Sequence, residues 1–178
     1  MRRPLALLLA ALAAAPAGAA ALEPRFDHRD TLGPFAELVL VHDAVARPGQ
    51  PTASWSHTAV RAGWGFAVSG DGDEILLGGA MSLGWPDDPG RTRVLASADA
   101  RYRGYFGSEQ LKTFFDVGLW VPFRSRLAVG PLVGIGTVWD FSRGAGIYAA
   151  ASFSTALGEA RIASLAISAG AQLRFELP

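Results

Sequence analysis

The chain contains no cysteine and only one lysine, Lys112. Without cysteine there can be no disulfide, no thiolate metal centre and no lipid-bearing thiol at a processing site. Lysine, a usual coat of water-facing surfaces, is thus almost missing. No phosphate loop, Cys/His zinc spacing or dinucleotide fingerprint appears. Beyond the N-terminal segment no run is apolar for the ~20 residues that a spanning helix requires. An excess of charge of either sign is also missing: 16 basic residues face 16 acidic ones. Nothing in that balance points to a nucleic-acid partner.

The first 21 residues have the make-up of a secretory signal. Arg2 and Arg3 supply a positive start, Leu5 to Ala15 a short apolar core, and Pro16 and Gly18 a break. Ala19 and Ala21 then fit the small-residue cleavage rule, so the mature chain is expected to begin at Leu22. Losing Arg2 and Arg3 leaves 14 basic residues against 16 acidic ones in the remaining 157 residues, a length that suits one domain. Residues 22–33 read as a short lead-in and 34–178 as the folded unit.

From residue 55 onward the chain is a series of alternating runs separated by turn signals. The last run is the clearest. Ala163, Leu165, Ile167, Ala169, Ala171, Leu173, Phe175 and Leu177 share one face. Ser164, Ala166, Ser168, Gly170, Gln172, Arg174 and Glu176 share the other. The runs around Val133, Val117 and Val94 repeat the pattern. A period of two is the signature of a strand, and apolar residues at three- and four-residue spacing are missing. Strands are expected at 35–46, 56–69, 74–85, 91–106, 111–123, 126–140, 144–157 and 161–177, with the first open to a helical reading because Glu37 and Asp43 interrupt it. Turn chemistry fills the gaps, as at Asp71-Gly72-Asp73, Gly107-Ser108 and Ser142-Arg143-Gly144. Asp71 to Glu74 resembles a calcium loop in composition but lacks the later ligands, so it reads as a hairpin turn.

Alternation alone does not separate a membrane barrel from a soluble one. Three features favour lipid. The more polar face is poor in long charged residues, and on 126–140 it is mostly glycine, alanine, leucine and valine; small residues suit a narrow interior better than a solvent coat. Aromatic residues gather near strand ends: Trp85 and Phe123 at one rim, Phe106, Trp139, Phe141 and Phe175 at the other. The final strand ends near the C-terminus, so closure can remove the open edge that hydrocarbon does not tolerate. The expected fold is all-β: a closed, antiparallel, up-and-down transmembrane barrel of about eight strands. On this pattern, over roughly residues 34–178, the chain resembles the small eight-stranded outer-membrane β-barrels, the OmpA membrane domain and OmpX-like proteins. The resemblance implies a cell outer-membrane location, lipids as neighbours, and the barrel-assembly machinery as a partner during biogenesis. In that family the last strand commonly ends in an aromatic, whereas here Pro178 follows Leu177. An even strand number places both chain ends in the periplasm, with short outer loops at 47–55, 86–90, 124–125 and 158–160.

Arg61, Glu74, Asp99, Arg101, Arg103, Lys112, Asp116, Arg174 and Glu176 fall on the inward face. An interior this narrow is filled by side chains, and charges there require partners. Arg61, Asp99, Arg101, Arg103, Asp116 and Arg174 are therefore expected to form an interior ion network. A four-residue turn pairing Phe106 with Leu111 would set Arg101 opposite Asp116, Tyr105 opposite Lys112 and Asp99 opposite Gly118. For chemistry, the histidines His28, His42 and His57 are the resource. A lipid-modifying hydrolase could draw on Ser54, Ser56, His57 and Asp43, but neighbours on a strand point to opposite faces, which separates Ser56 from His57. No catalytic residue, metal ligand or cofactor is assigned. The function read from the chain is structural or interaction-based in the envelope, with a lipid-modifying enzyme or a narrow pore as alternatives; the ligand is left unnamed.

Overall fold

The computed structural model describes residues 30–68, 72–84, 93–107, 110–123, 128–142, 144–158 and 160–177. The proposed signal, Trp85 and most of two far-end connections lie outside them. The strands are β1 Thr31–Ala46, β2 Ala53–Ala67, β3 Glu74–Gly84, β4 Arg93–Phe106, β5 Leu111–Phe123, β6 Gly130–Ser142, β7 Ala145–Ala156, β8 Arg161–Leu173 and the short β9 Phe175–Glu176. Every neighbour in sequence pairs antiparallel, and β1 pairs with both β2 and β8. The sheet is therefore a closed eight-stranded barrel, with β9 continuing β8 along β1 after a break at Arg174. Pro34, which has no N–H to give a ladder, sits on β1 at that break.

The 31–46 segment is a strand, and it starts inside the stretch read as lead-in. Its helical alternative fails because β1 is the closing strand, bonded on both sides, so each polar side chain has a definite face. Phe35, Glu37, Val39, Asp43 and Val45 are buried, while Leu38 and Leu40 are exposed.

The register has a measurable stagger. Following paired residues from Gly33 leads through Gly65, Leu76, Arg101, Gly118, Leu132, Ser154 and Ser164 back to β1 at Asp43. The walk gains ten residues, from 33 to 43. An even gain is required, because an odd one would join an inward face to an outward one. With about 3.3 Å per residue and about 4.8 Å between strands, this stagger tilts the strands by about 40°. A thirteen-residue strand such as β8 then rises about 33 Å, enough for a hydrocarbon layer.

The faces are inverted relative to a soluble barrel. Leu40, Val60, Leu119, Val133, Ile135, Leu165 and Ile167 are exposed on the outer wall, whereas Arg101, Arg103, Asp116 and Arg174 are buried within. Soluble monomers seldom expose a contiguous apolar patch above about 600 Å²; here the apolar surface encircles the molecule. Only a solvent made of hydrocarbon makes that arrangement favourable.

One expected register is corrected. Phe106 pairs with Thr113, not Leu111, so Arg103 faces Asp116 and Arg101 faces Gly118. Asp99 accordingly lies opposite Trp120 and Tyr105 opposite Phe114. The displacement is two residues, and the hairpin is longer than the turn signal implied. Phe106 and Thr113 remain on the outer face because the slip is even.

Candidate functional site

Among the described residues, oppositely charged side chains gather in the barrel interior. Its middle holds three arginines and three carboxylates. Arg61 Nη1 lies 2.7 Å from Glu37 Oε1 and its Nε 3.2 Å from Asp99 Oδ2. Arg101 Nε lies 2.7 Å from Asp99 Oδ1, while its Nη2 and Nη1 approach Glu37 and Asp116 at 3.4 and 3.3 Å. Arg103, fully buried, holds Asp116 with two parallel bonds, Nε to Oδ1 at 2.8 Å and Nη2 to Oδ2 at 2.9 Å. This fork geometry is the strong form of an arginine–carboxylate pair. The guanidinium plane also covers the Phe114 ring at 3.7 Å and the Tyr148 ring at 4.9 Å from the centroids, a contact that gains strength away from water.

A second cluster lies nearer the end that holds the chain termini. Arg174 donates from Nε to Glu74 Oε1 at 2.9 Å and from Nη1 to Asp140 Oδ1 at 2.8 Å. Lys112 Nζ stands 3.0 Å from Asp140 Oδ2. Tyr105 donates its hydroxyl to Glu74 Oε2 at 2.7 Å, and Gln172 Nε2 lies 3.0 Å from both Glu74 oxygens. Small residues make room for this packing. A Cβ on Gly63 would lie 2.8 Å from Phe35 Cε1, and one on Gly78 would lie 3.0 Å from its Cζ, so the ring rests directly on the backbone.

Towards the far end the charges thin out. A cavity of about 50 Å³ is bounded by Asp43, His57, Arg61, Trp120 and the hydroxyls of Ser82, Ser97, Ser152, Ser154 and Ser164. That volume accommodates about three or four water molecules. His57 Nε2 is 3.3 Å from Asp43 Oδ2. Beside the cavity Val45, Trp120, Leu132, Ala156 and Ile162 form an apolar cluster, with Trp55 packed on it.

Three solved structures share this architecture. Neisserial surface protein A has a TM-score of 0.61 at 13% identity, covering 80% of this chain and 97% of its own. Outer membrane protein OprG from Pseudomonas aeruginosa has a TM-score of 0.51 at 9% identity, covering 86% and 100%. Ail, the attachment invasion locus protein of Yersinia pestis, has a TM-score of 0.50 at 14% identity, covering 80% and 99%. This is the fold of the small outer-membrane β-barrels. No protein-family model matches the chain, and no curated protein matches it in sequence. At such identities the likeness is one of fold.

Within this outer-membrane barrel fold, the residues singled out from sequence divide into two groups. Arg61, Asp99, Arg101, Arg103 and Asp116 stand together in the middle cluster, whereas Arg174 belongs to the other cluster with Glu74, Lys112 and Asp140. Glu176 is exposed beyond the end of β8. Glu37, which touches both Arg61 and Arg101, and Asp140, which touches both Lys112 and Arg174, were left out of the expected network. The signal for Glu37 was present: it shares the parity of Phe35 and Val39, and becomes an inward charge once 31–46 is a strand. Asp140 likewise shares the inward parity of Val138.

The hydrolase grouping is not assembled. Ser56 Oγ lies 2.9 Å from His42 Nδ1 on the exposed wall, while His57 turns inward to Asp43. Asp73, in the turn after β2, accepts a bond from the Tyr105 amide at 3.2 Å and another from the Tyr102 hydroxyl, so that carboxylate ties the turn to β4.

Proposed function

We propose that residues 1–21 export the chain and that the mature protein serves in the outer membrane as a filled barrel with a structural or surface-interaction role, without enzymatic activity. The observation that carries the reading is the inversion of the two faces: apolar side chains ring the outside, and ion pairs fill the inside. With this topology the chain termini lie in the periplasm and the serine-lined end faces outward. Its neighbours there are outer-membrane lipids, and during biogenesis the assembly machinery. The interior ion network acts as a structural plug, because the middle and periplasmic sections are occupied by paired side chains.

Membrane fractionation combined with gel mobility before and after boiling tests the reading. The expected result is recovery in the outer membrane, a compact fast-running band that slows on heating, and a mature N-terminus at Leu22 by mass spectrometry. Recovery in a soluble fraction, or mobility unaffected by heat, would overturn it. Planar-bilayer recordings are expected to show no discrete conductance steps; regular steps would replace the plug with a pore.

A further inference from the structure

Around part of the barrel the apolar wall continues to the outer rim, where Phe123 on β5, Val129 before β6 and Leu157 after β7 are exposed. On β1 and β2 it stops earlier. Beyond Leu40 and Val60, the outward positions are His42, Ala44 and Ala46 on β1 and Thr58, Ser56 and Ser54 on β2; His42 and the three hydroxyl residues are exposed and the alanines half-buried. His42 and Ser56 are register partners and bond to each other at 2.9 Å. Four positions further towards the rim on β8, Arg161 pairs with Ala46 and is exposed, and Arg47 is exposed just past β1. The nearby carboxylates Glu37 and Asp43 are buried on the other face. Among the described residues this stretch of outer wall thus carries hydroxyls, an imidazole and two arginines set among small alanines, without an outward acid.

The strip is continuous with the lipid-facing belt. Leu165 pairs with His42, and Ile167 pairs with Leu40, so acyl chains lying on Leu40, Leu165, Ile167 and Val60 bring their headgroup to the strip. We propose that this strip seats the phosphate-bearing headgroup of an outer-leaflet lipid. Arg161 and Arg47 supply the charge, and His42, Ser54 and Ser56 supply hydrogen bonds. A phosphate oxygen accepts from such donors, and guanidinium groups match its geometry. This inference rests on the outer-membrane reading above.

The test uses the folded chain in phosphatidylcholine nanodiscs containing a minority of lipid A, followed by washing and mass spectrometry of the lipid retained. Lipid A is expected to be enriched over its share of the disc. Arg161→Gln should lower that enrichment about fivefold, the worth of one surface arginine near anionic lipid. The double variant Arg47→Gln, Arg161→Gln should abolish it, whereas Phe123→Gln on β5, four strands from β1 around the barrel, should leave it unchanged. Retained phosphatidylcholine should be the same throughout. Equal retention of both lipids by the unaltered chain overturns the proposal, as does enrichment that survives the double variant. If the double variant instead changes oligomeric state without altering lipid retention, the strip is an interface between copies and the lipid inference falls. A chain that folds and shifts with heat but shows no preference removes only this inference; a chain that never enters the bilayer removes the outer-membrane reading as well.

Discussion

The two ends of the barrel interior are filled by different means. From the terminal end to the middle, five cationic side chains interleave with Glu37, Glu74, Asp99, Asp116 and Asp140, each carboxylate touching a cation at 3.4 Å or less. Towards the far end, serines, alanines and a single His57–Asp43 pair line a cavity, and one apolar cluster packs beside it. The contrast shows where the interior is committed. A buried ion pair is costly to desolvate, and its value appears mainly when one partner is taken away and the other is stranded. Small hydroxyls beside a cavity strand nothing when removed. Sensitivity to mutation should therefore follow the charges along the barrel axis, and not burial alone.

The largest expected effect tests that contrast at its strongest point. Asp116→Ala removes the carboxylate shared by Arg103 and Arg101, and should destabilise the barrel by about 3–5 kcal/mol. Urea unfolding in lipid vesicles, followed by tryptophan emission, measures it. Arg174→Met should cost less, about 2 kcal/mol, since Lys112 still faces Asp140 while Tyr105 and Gln172 still bond Glu74; the same unfolding curves decide. Packing is the next lever. Gly78→Leu drives a side chain into Phe35, whose Cζ lies 3.0 Å from the place of the new Cβ, and overpacking of this kind costs about 1–3 kcal/mol, visible as a lower unfolding midpoint with the heat-dependent gel shift retained. At the far end, Ser154→Ala should change stability by less than about 1 kcal/mol. A loss there matching that of Asp116→Ala would erase the distinction between the two ends.

Much of the barrel was legible before any coordinates. The unbroken alternation from Ala163 to Leu173 specified β8 and its two faces, and Leu165 and Ile167 do lie outside while Ser164 and Gln172 lie inside. The exception was β1, where Glu37 and Asp43 interrupt an apolar run. Local pattern could not choose helix or strand there, because the deciding bonds come from β2 and β8, more than a hundred residues apart in sequence. For the same reason Glu37 was invisible as a member of the middle cluster. Its two arginines sit on β2 and β4, reached only when the sheet closes.

What the amino-acid order determined by itself is parity: a period of two sorts each side chain to lipid or to the interior, and hydrocarbon enforces the sorting. What the tertiary structure alone decided is partnership. A slip of two residues between β4 and β5 leaves every face unchanged, so alternation cannot detect it, yet it moves Asp116 from opposite Arg101 to opposite Arg103. The closing stagger of the sheet and the fit of arginine forks to carboxylates choose among those equivalent registers, and these exist only in three dimensions.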